Sequence, residues 1–140
     1  MGKVTVEKKL NVETGALWAL IRDFGDVSWM PGGNDIARIE GEGVGMVRII
    51  QNPAGGDIHE RLEAVDDDAQ SIHYTIPVGV PFPVTGYRST MAVSDDGGKG
   101  RLVWSCEFQP DGVTEAEAEG AIEQMYGVMM GWIEETASAS

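Results

Sequence analysis

Cysteine is nearly absent. Cys106 is the one thiol in 140 residues, so the chain can form no internal disulfide and no cysteine-cluster metal site. Histidine is almost as scarce. His59 and His73 are the two present; both fall on the polar side of their segments and no third ligand lies within sequence reach, so no metal site is expected. Positive charge is short as well: ten Lys and Arg against 23 Asp and Glu leave a formal net charge of −13. That balance excludes nucleic-acid phosphates and anionic membrane surfaces as partners, because both demand a positive footprint, and an acid excess of this kind serves solubility. No apolar run reaches membrane-spanning length, and the opening MGKVTVEKKL lacks the apolar centre of a secretory signal. Gly2 follows Met1, but Val6 stands where a myristoylation motif needs Ser or Thr. No membrane insertion and a cytoplasmic location are the resulting expectations.

What is present suffices for one globular domain over residues 1–140, since 42% hydrophobic and 24% charged residues can supply a buried core. The most sustained pattern is C-terminal. Over Thr114 to Thr136, the residues Ala118, Ala121, Ile122, Met125, Tyr126, Met129, Trp132 and Ile133 recur at helical steps, while Glu117, Glu119, Glu123, Gln124, Glu134 and Glu135 take the other side. Thr114 followed by Glu117 predicts a capping box, and the acidic first turn suits the positive end of the helix dipole. About 22 helical residues span roughly 33 Å, a length that needs a sheet to lie on.

The rest reads as strands. Val4, Val6, Leu10 and Val12 alternate with polar residues over about residues 3–12, with Lys8 the exception on the apolar side. Leu17, Trp18, Leu20, Ile21 and Phe24 then predict a short helix ended by Gly25, and Asp26 to Met30 allow one more turn before Pro31-Gly32-Gly33. Further strands are expected at about residues 35–41, 45–51, 57–66, 70–77, 86–94 and 100–109, separated by GEGVG, NPAGGD, DDDAQ, PVGVPFP and DDGGKG. Short turns predict antiparallel hairpins. Turn centres then place Arg48 opposite Glu60, Met46 opposite Leu62, Leu62 opposite Tyr74, Ala64 opposite Ile72, Tyr74 opposite Tyr87, Ile72 opposite Ser89, Met91 opposite Trp104 and Ser89 opposite Cys106. One face collects these side chains with Ile50, Ile58, Ile76, Val93, Leu102 and Phe108; the opposite face holds His59, Arg61, Glu63, His73, Arg88, Thr90, Arg101, Ser105 and Glu107. The fold class is α+β: a seven-stranded curved antiparallel sheet wrapped around a long C-terminal helix, with two short helices after the first strand. A curved sheet and one helix cannot close completely, so a pocket between them is expected.

The polar residues on the inner face mark where that pocket acts, because a buried polar group is unfavourable unless paired. Arg48 and Glu60, opposite each other on an inward row, predict an internal ion pair or the polar end of a cavity. Tyr74, Tyr87 and Ser89 supply hydroxyls on the same face. Trp104 on the sheet, Met125, Tyr126 and Met129 on the helix, Trp29 beside the early turn and Phe82 in PVGVPFP complete the candidate ligand-binding set. Phe82, with Gly79 as hinge, makes Pro77 to Pro83 a candidate lid. Ser89 and Cys106 have no inward histidine to activate them, and DDGGKG lacks the strand-loop-helix order of a phosphate cradle. Gly120, Gly127 and Gly131 align on the helix side away from the sheet, which allows a close contact and with it a homodimer.

In this order of elements the chain resembles the START-related Bet v 1 (SRPBCC) superfamily of helix-grip proteins, in the group of polyketide cyclases, dehydrases and lipid-transport proteins. EGEGVGMVR, from Glu40 to Arg48, and the stretch from Glu60 to Asp95 resemble the plant abscisic acid receptors of that superfamily. The resemblance implies that their pocket glutamate, tyrosine and serine correspond to Glu60, Tyr87 and Ser89. Their carboxylate-binding lysine falls on Asn34, their latch falls on Phe82-Pro83-Val84, and their gate loop is shortened to NPAGG, so the resemblance implies the fold and a pocket and not the hormone. Three functions follow from the pattern. The first is binding of a small hydrophobic molecule, of lipid, polyketide or terpenoid type, without a cofactor. The second is a polyketide cyclase or dehydratase in which Glu60 moves a proton and Arg48 or Tyr87 stabilises an enolate. The third is a ligand-gated module that binds a protein partner. An Arg48 to Glu60 ion pair would lock the carboxylate as an anion and favour binding or a structural role over catalysis.

Overall fold

The computed structural model describes residues 1–139. Strand β1 (Gly2–Glu13) leads into helix α1 (Thr14–Arg22), followed by an irregular stretch and a 3-10 turn at Gly33–Ile36. Six strands come next: β2 (Ala37–Glu40), β3 (Val47–Gln51), β4 (Asp57–Asp66), β5 (Ser71–Val78), β6 (Val84–Asp96) and β7 (Lys99–Pro110), and the chain closes with α2 (Glu115–Ser138). The seven strands form one antiparallel sheet in the order β1-β7-β6-β5-β4-β3-β2. β2 to β7 are a meander of hairpins, and the segment containing α1 carries the chain from β1 at one edge to β2 at the other.

Most of the expected pairings hold. Arg48 faces Glu60, Leu62 faces Tyr74, Met91 faces Trp104 and Ser89 faces Cys106. Three details differ. The strand expected from residue 35 begins at Ala37, because Gly33–Ile36 coil into the 3-10 turn. Tyr74 faces Ser89 and not Tyr87, and Ile72 faces Met91 and not Ser89. This is a slip of two residues, which keeps every side chain on its predicted face since the strand period is two. A bulge between Leu62 and Ala64 makes the third difference: Val65, not Ala64, faces Ile72. One extra residue reverses the alternation beyond it, and Val65 packs against the core.

At the start of α2 the Thr114 hydroxyl accepts from the Glu117 amide at 3.1 Å, and Glu115 and Glu117 occupy the acidic first turn. With 24 residues the helix is about 36 Å long. Ala118, Ile122, Tyr126, Met130, Ile133 and Ala137 form its buried row. Met130, omitted from the predicted stripe, is fully buried, while Met125, Met129 and Trp132 flank that row and are half-buried. α2 runs mainly along β1, with lesser contacts to α1 and β7. Tyr126 stacks on Trp104 with ring centroids 4.4 Å apart. α1 buries Leu17, Trp18 and Ile21 and stops at Arg22, two residues short of the expected end; Phe24 and Val27 are buried from the irregular stretch after it. No described helix is long and apolar enough to cross a membrane.

Gly120, Gly127 and Gly131 are exposed on α2, and a Cβ added to any of them would meet no atom within 4 Å. Gly127→Ala is therefore expected to stabilise the chain by about 0.5–1 kcal/mol, raising the melting temperature by about 2–5 °C with no change of mass in solution. Calorimetry and light scattering check this. A lower melting temperature or a smaller mass would mark the glycine row as a contact surface.

Candidate ligand cavity

Because α2 lies along the β1 side, the inner face of β3, β4 and β5 is not packed directly by it, and a cavity of about 350 Å³ occupies the space. Ile50, Ile58 and Ile76 line it from the strands, and Met125, Met129 and Trp132 from α2. Trp29, Met30, Pro31 and Ile36 line it from the segment after α1, Gln51 to Pro53 from the β3–β4 hairpin, and Pro81 and Phe82 from the β5–β6 loop. Two larger depressions, of about 530 and 510 Å³, lie on the outer face of the sheet among Lys3, Glu63, Arg88 and Glu107. Surface ion pairs cross that face, Arg88 with Glu107 at 3.2 Å and Arg61 with Glu63 at 2.5 Å. Both depressions are open and mix polar with apolar groups, whereas the walls of the inner cavity are predominantly apolar.

Arg48 and Glu60 form the charged end of the cavity. The guanidinium donates from Nε to Glu60 Oε1 at 2.6 Å and from Nη1 to the Phe24 carbonyl at 3.0 Å. It also lies 3.9 Å from the centre of the Phe24 ring, a cation–π arrangement favourable in a desolvated setting. The side chains are 4% and 11% exposed, so each charge has the other as its principal compensation. Phe24 reaches this position because α1 stops at Arg22, which frees the Phe24 carbonyl from helical bonding.

A second polar cluster lies deeper. The Trp104 indole N–H donates to Tyr74 Oη at 3.1 Å and Ser89 Oγ at 3.0 Å; Ser89 Oγ donates to the Ser105 carbonyl at 2.9 Å and contacts Tyr126 Oη at 3.1 Å. Tyr87 is hydrogen-bonded to Tyr126, and Tyr74 and Tyr87 hydroxyls are 3.4 Å apart. Burial, reinforced by the Glu60 charge, pushes the Tyr74 phenol up to about 12. Burial first and the neighbouring phenols second hold Tyr87 and Tyr126 above the ordinary tyrosine value. Burial likewise raises the Cys106 thiol, which makes it a poor nucleophile.

Of the predicted ligand set, Trp29, Arg48, Glu60, Tyr74, Phe82, Tyr87, Trp104, Met125 and Met129 line the cavity. Ser89 and Tyr126 do not. They lie one layer behind, Tyr126 fully buried and Ser89 3% exposed, because the ring of Tyr126 is taken up in stacking on Trp104. Trp132 belongs to the wall and was legible as a member of the helix stripe, and Pro81 lies within the segment expected to cover the pocket; Pro31 and Pro53 carried no signal, since only the approach of separate loops makes them a rim. Asn34 turns its side chain to the loop: its Oδ1 accepts from the Val27 amide at 2.8 Å. The β5–β6 loop packs inward, with the Phe82 and Tyr87 ring centroids 5.7 Å apart. Gly79 has φ +73, and a Cβ there would collide with the Asp57 carbonyl, so the expected hinge is a close backbone contact.

The fold is the helix-grip fold of Bet v 1-like proteins. The chain belongs to the polyketide cyclase / dehydrase and lipid transport family, whose model matches residues 1–134. Similar solved structures include an uncharacterized protein from Bacillus thuringiensis, 28% identical, covering 97% of this chain and 98% of that one with a TM-score of 0.81. Protein XoxI from Bacillus cereus is 26% identical over 97% and 95% of the two chains, with a TM-score of 0.81. Ara h 8.0201, at 17% identity over 99% and 98% of the chains and a TM-score of 0.74, shares the fold. No protein of curated function matches the sequence.

Two outcomes follow from this geometry. Glu60→Ala leaves Arg48 buried beside an empty place and is expected to destabilise the protein by about 3–5 kcal/mol in denaturant titration; a loss below about 0.5 kcal/mol would mean that the pair is effectively solvated. The second concerns alkali. All three tyrosines sit in the buried cluster, and a phenol whose folded pKa exceeds its unfolded value leaves stability intact below the unfolded value. Between pH 10 and about 12 the unfolded chain releases protons that the folded Tyr74 retains, so stability should fall by about 1.4 kcal/mol per pH unit for each tyrosine. Phenolate absorbance should therefore appear only together with loss of near-ultraviolet circular dichroism. Phenolate in the folded protein near pH 10 would contradict the burial.

Proposed function

We propose that the protein binds a small, neutral, mostly hydrophobic molecule in the cavity between the sheet and α2. The observation that carries this reading is that the charged pair of a mostly apolar wall, Arg48 and Glu60, is already satisfied internally at 2.6 Å. A charged ligand would have to break that pair, whereas a neutral one gains apolar burial at no such cost. Size narrows the class. At about 30 Å³ per liquid water, the space equals roughly a dozen waters, room for a compact terpenoid or a small aromatic polyketide and too little for a lipid with two acyl chains.

Binding is favoured over proton-transfer chemistry because Glu60 is hydrogen-bonded to Arg48 and so is not a free acid or base. Native mass spectrometry of the protein as purified, followed by titration with the neutral dye Nile red, tests the reading. A co-purified small molecule, or dye binding at one-to-one stoichiometry that Met129→Trp abolishes while the melting temperature is kept, is the expected result. A protein that carries nothing and binds no dye would overturn it.

A further inference from the structure

The buried hydroxyl cluster has a direction that proton counting determines. A hydroxyl has one proton to donate. Ser89 uses its own on the Ser105 carbonyl, which can only accept. In its contact with Tyr126, Ser89 must therefore accept, so Tyr126 donates to it. The Tyr126 proton being so used, the Tyr126 oxygen accepts from Tyr87. Tyr87 in turn has no proton left, and what its oxygen can still offer a partner is a lone pair. Tyr74 is different. Its oxygen accepts from the shared Trp104 N–H at 3.1 Å; its proton faces the Tyr87 oxygen at 3.4 Å, beyond the usual range for a hydroxyl bond, and the neighbouring Ser89 oxygen already accepts from Trp104 and Tyr126. Both phenols line the cavity, and both stay protonated at neutral pH because burial raises them.

We infer that Tyr74 and Tyr87 form a matched donor and acceptor for the hydroxyl of a neutral alcohol or phenol. One ligand oxygen can accept from Tyr74 and donate to Tyr87, taking up the weakly used proton and the open lone pair together. An ether or carbonyl at the same place accepts from Tyr74 and leaves Tyr87 without a donor. A carboxylate also lacks the proton for Tyr87 and brings a second negative charge near Glu60. The distinction belongs to this arrangement of three tyrosines, one serine and one tryptophan. The inference rests on the proposal that the cavity takes a neutral ligand, and adds which functional group that ligand carries.

Three probes of one skeleton separate the possibilities: naphthalene, 2-methoxynaphthalene and 2-naphthol, titrated calorimetrically into wild type, Tyr74→Phe and Tyr87→Phe. In wild type, 2-naphthol should bind about tenfold more tightly than 2-methoxynaphthalene, the effect of one further hydrogen bond in a desolvated site, and naphthalene should bind most weakly. Tyr74→Phe should bring both oxygenated probes down toward naphthalene while leaving naphthalene itself unchanged. Tyr87→Phe should remove only the advantage of 2-naphthol over 2-methoxynaphthalene. If Tyr74→Phe fails to fold, the Tyr87→Phe comparison decides alone. Equal affinity of the two oxygenated probes in wild type, or a naphthol preference that survives both substitutions, overturns the inference while the cavity reading stands. If none of the three probes binds, both fall.

Discussion

Arg48 is buried only because two separate parts of the chain meet it. Glu60 supplies the opposite charge from the neighbouring strand, and the Phe24 carbonyl and ring supply a hydrogen bond and a cation–π face from the end of the α1 segment. An isolated guanidinium in that place would be strongly unfavourable. The pairing of β3 with β4 and the early stop of α1 are thus coupled through one side chain. The same side chain fixes the chemistry of the cavity, since a charge already compensated leaves the wall neutral.

The position of α2 is the second constraint. A single helix lying along β1, with lesser contact to β7, covers that side of the sheet and leaves the other side, β3 to β5, facing loops, the half-buried flank of the helix and, at β5, part of α1. The two rows of α2 accordingly divide the work. Ala118, Ile122, Tyr126, Met130 and Ile133 pack into the core, and Met125, Met129 and Trp132 face the cavity. Flexible thioethers at two of these three positions suit a wall that must fit an irregular molecule. The chain of the polyketide cyclase / dehydrase and lipid transport family thus has a sheet and helix that close incompletely around a cavity.

Between core and cavity stands the tyrosine cluster. It belongs to the core by burial and to the cavity by Tyr74 and Tyr87, which line it. Its inner members, Ser89 and Tyr126, do not line the inner cavity, yet they decide which of the outer phenols donates and which accepts. A layer behind the wall thereby sets the polarity of the wall.

Alternation and helical periodicity were enough to place the strands, the long helix, the inward row from Met46 to Phe108 and the opposition of Arg48 to Glu60, because these depend on local period and turn length alone. The two-residue slip between β5 and β6 was invisible to that logic and harmless to it, since an even shift preserves faces. The bulge at Leu62 to Ala64 was equally invisible and did move side chains, putting Val65 inward. Met130 was missed for a related reason: a helix long enough to serve both core and cavity has a wider buried arc than one stripe. Where α2 lies across the sheet, how far α1 runs, and whether Ser89 and Tyr126 sit at the wall or behind it were decided by tertiary packing. Each depends on how residues far apart in the chain compete for the same space, and a sequence pattern specifies which face a side chain takes without specifying what will stand in front of it.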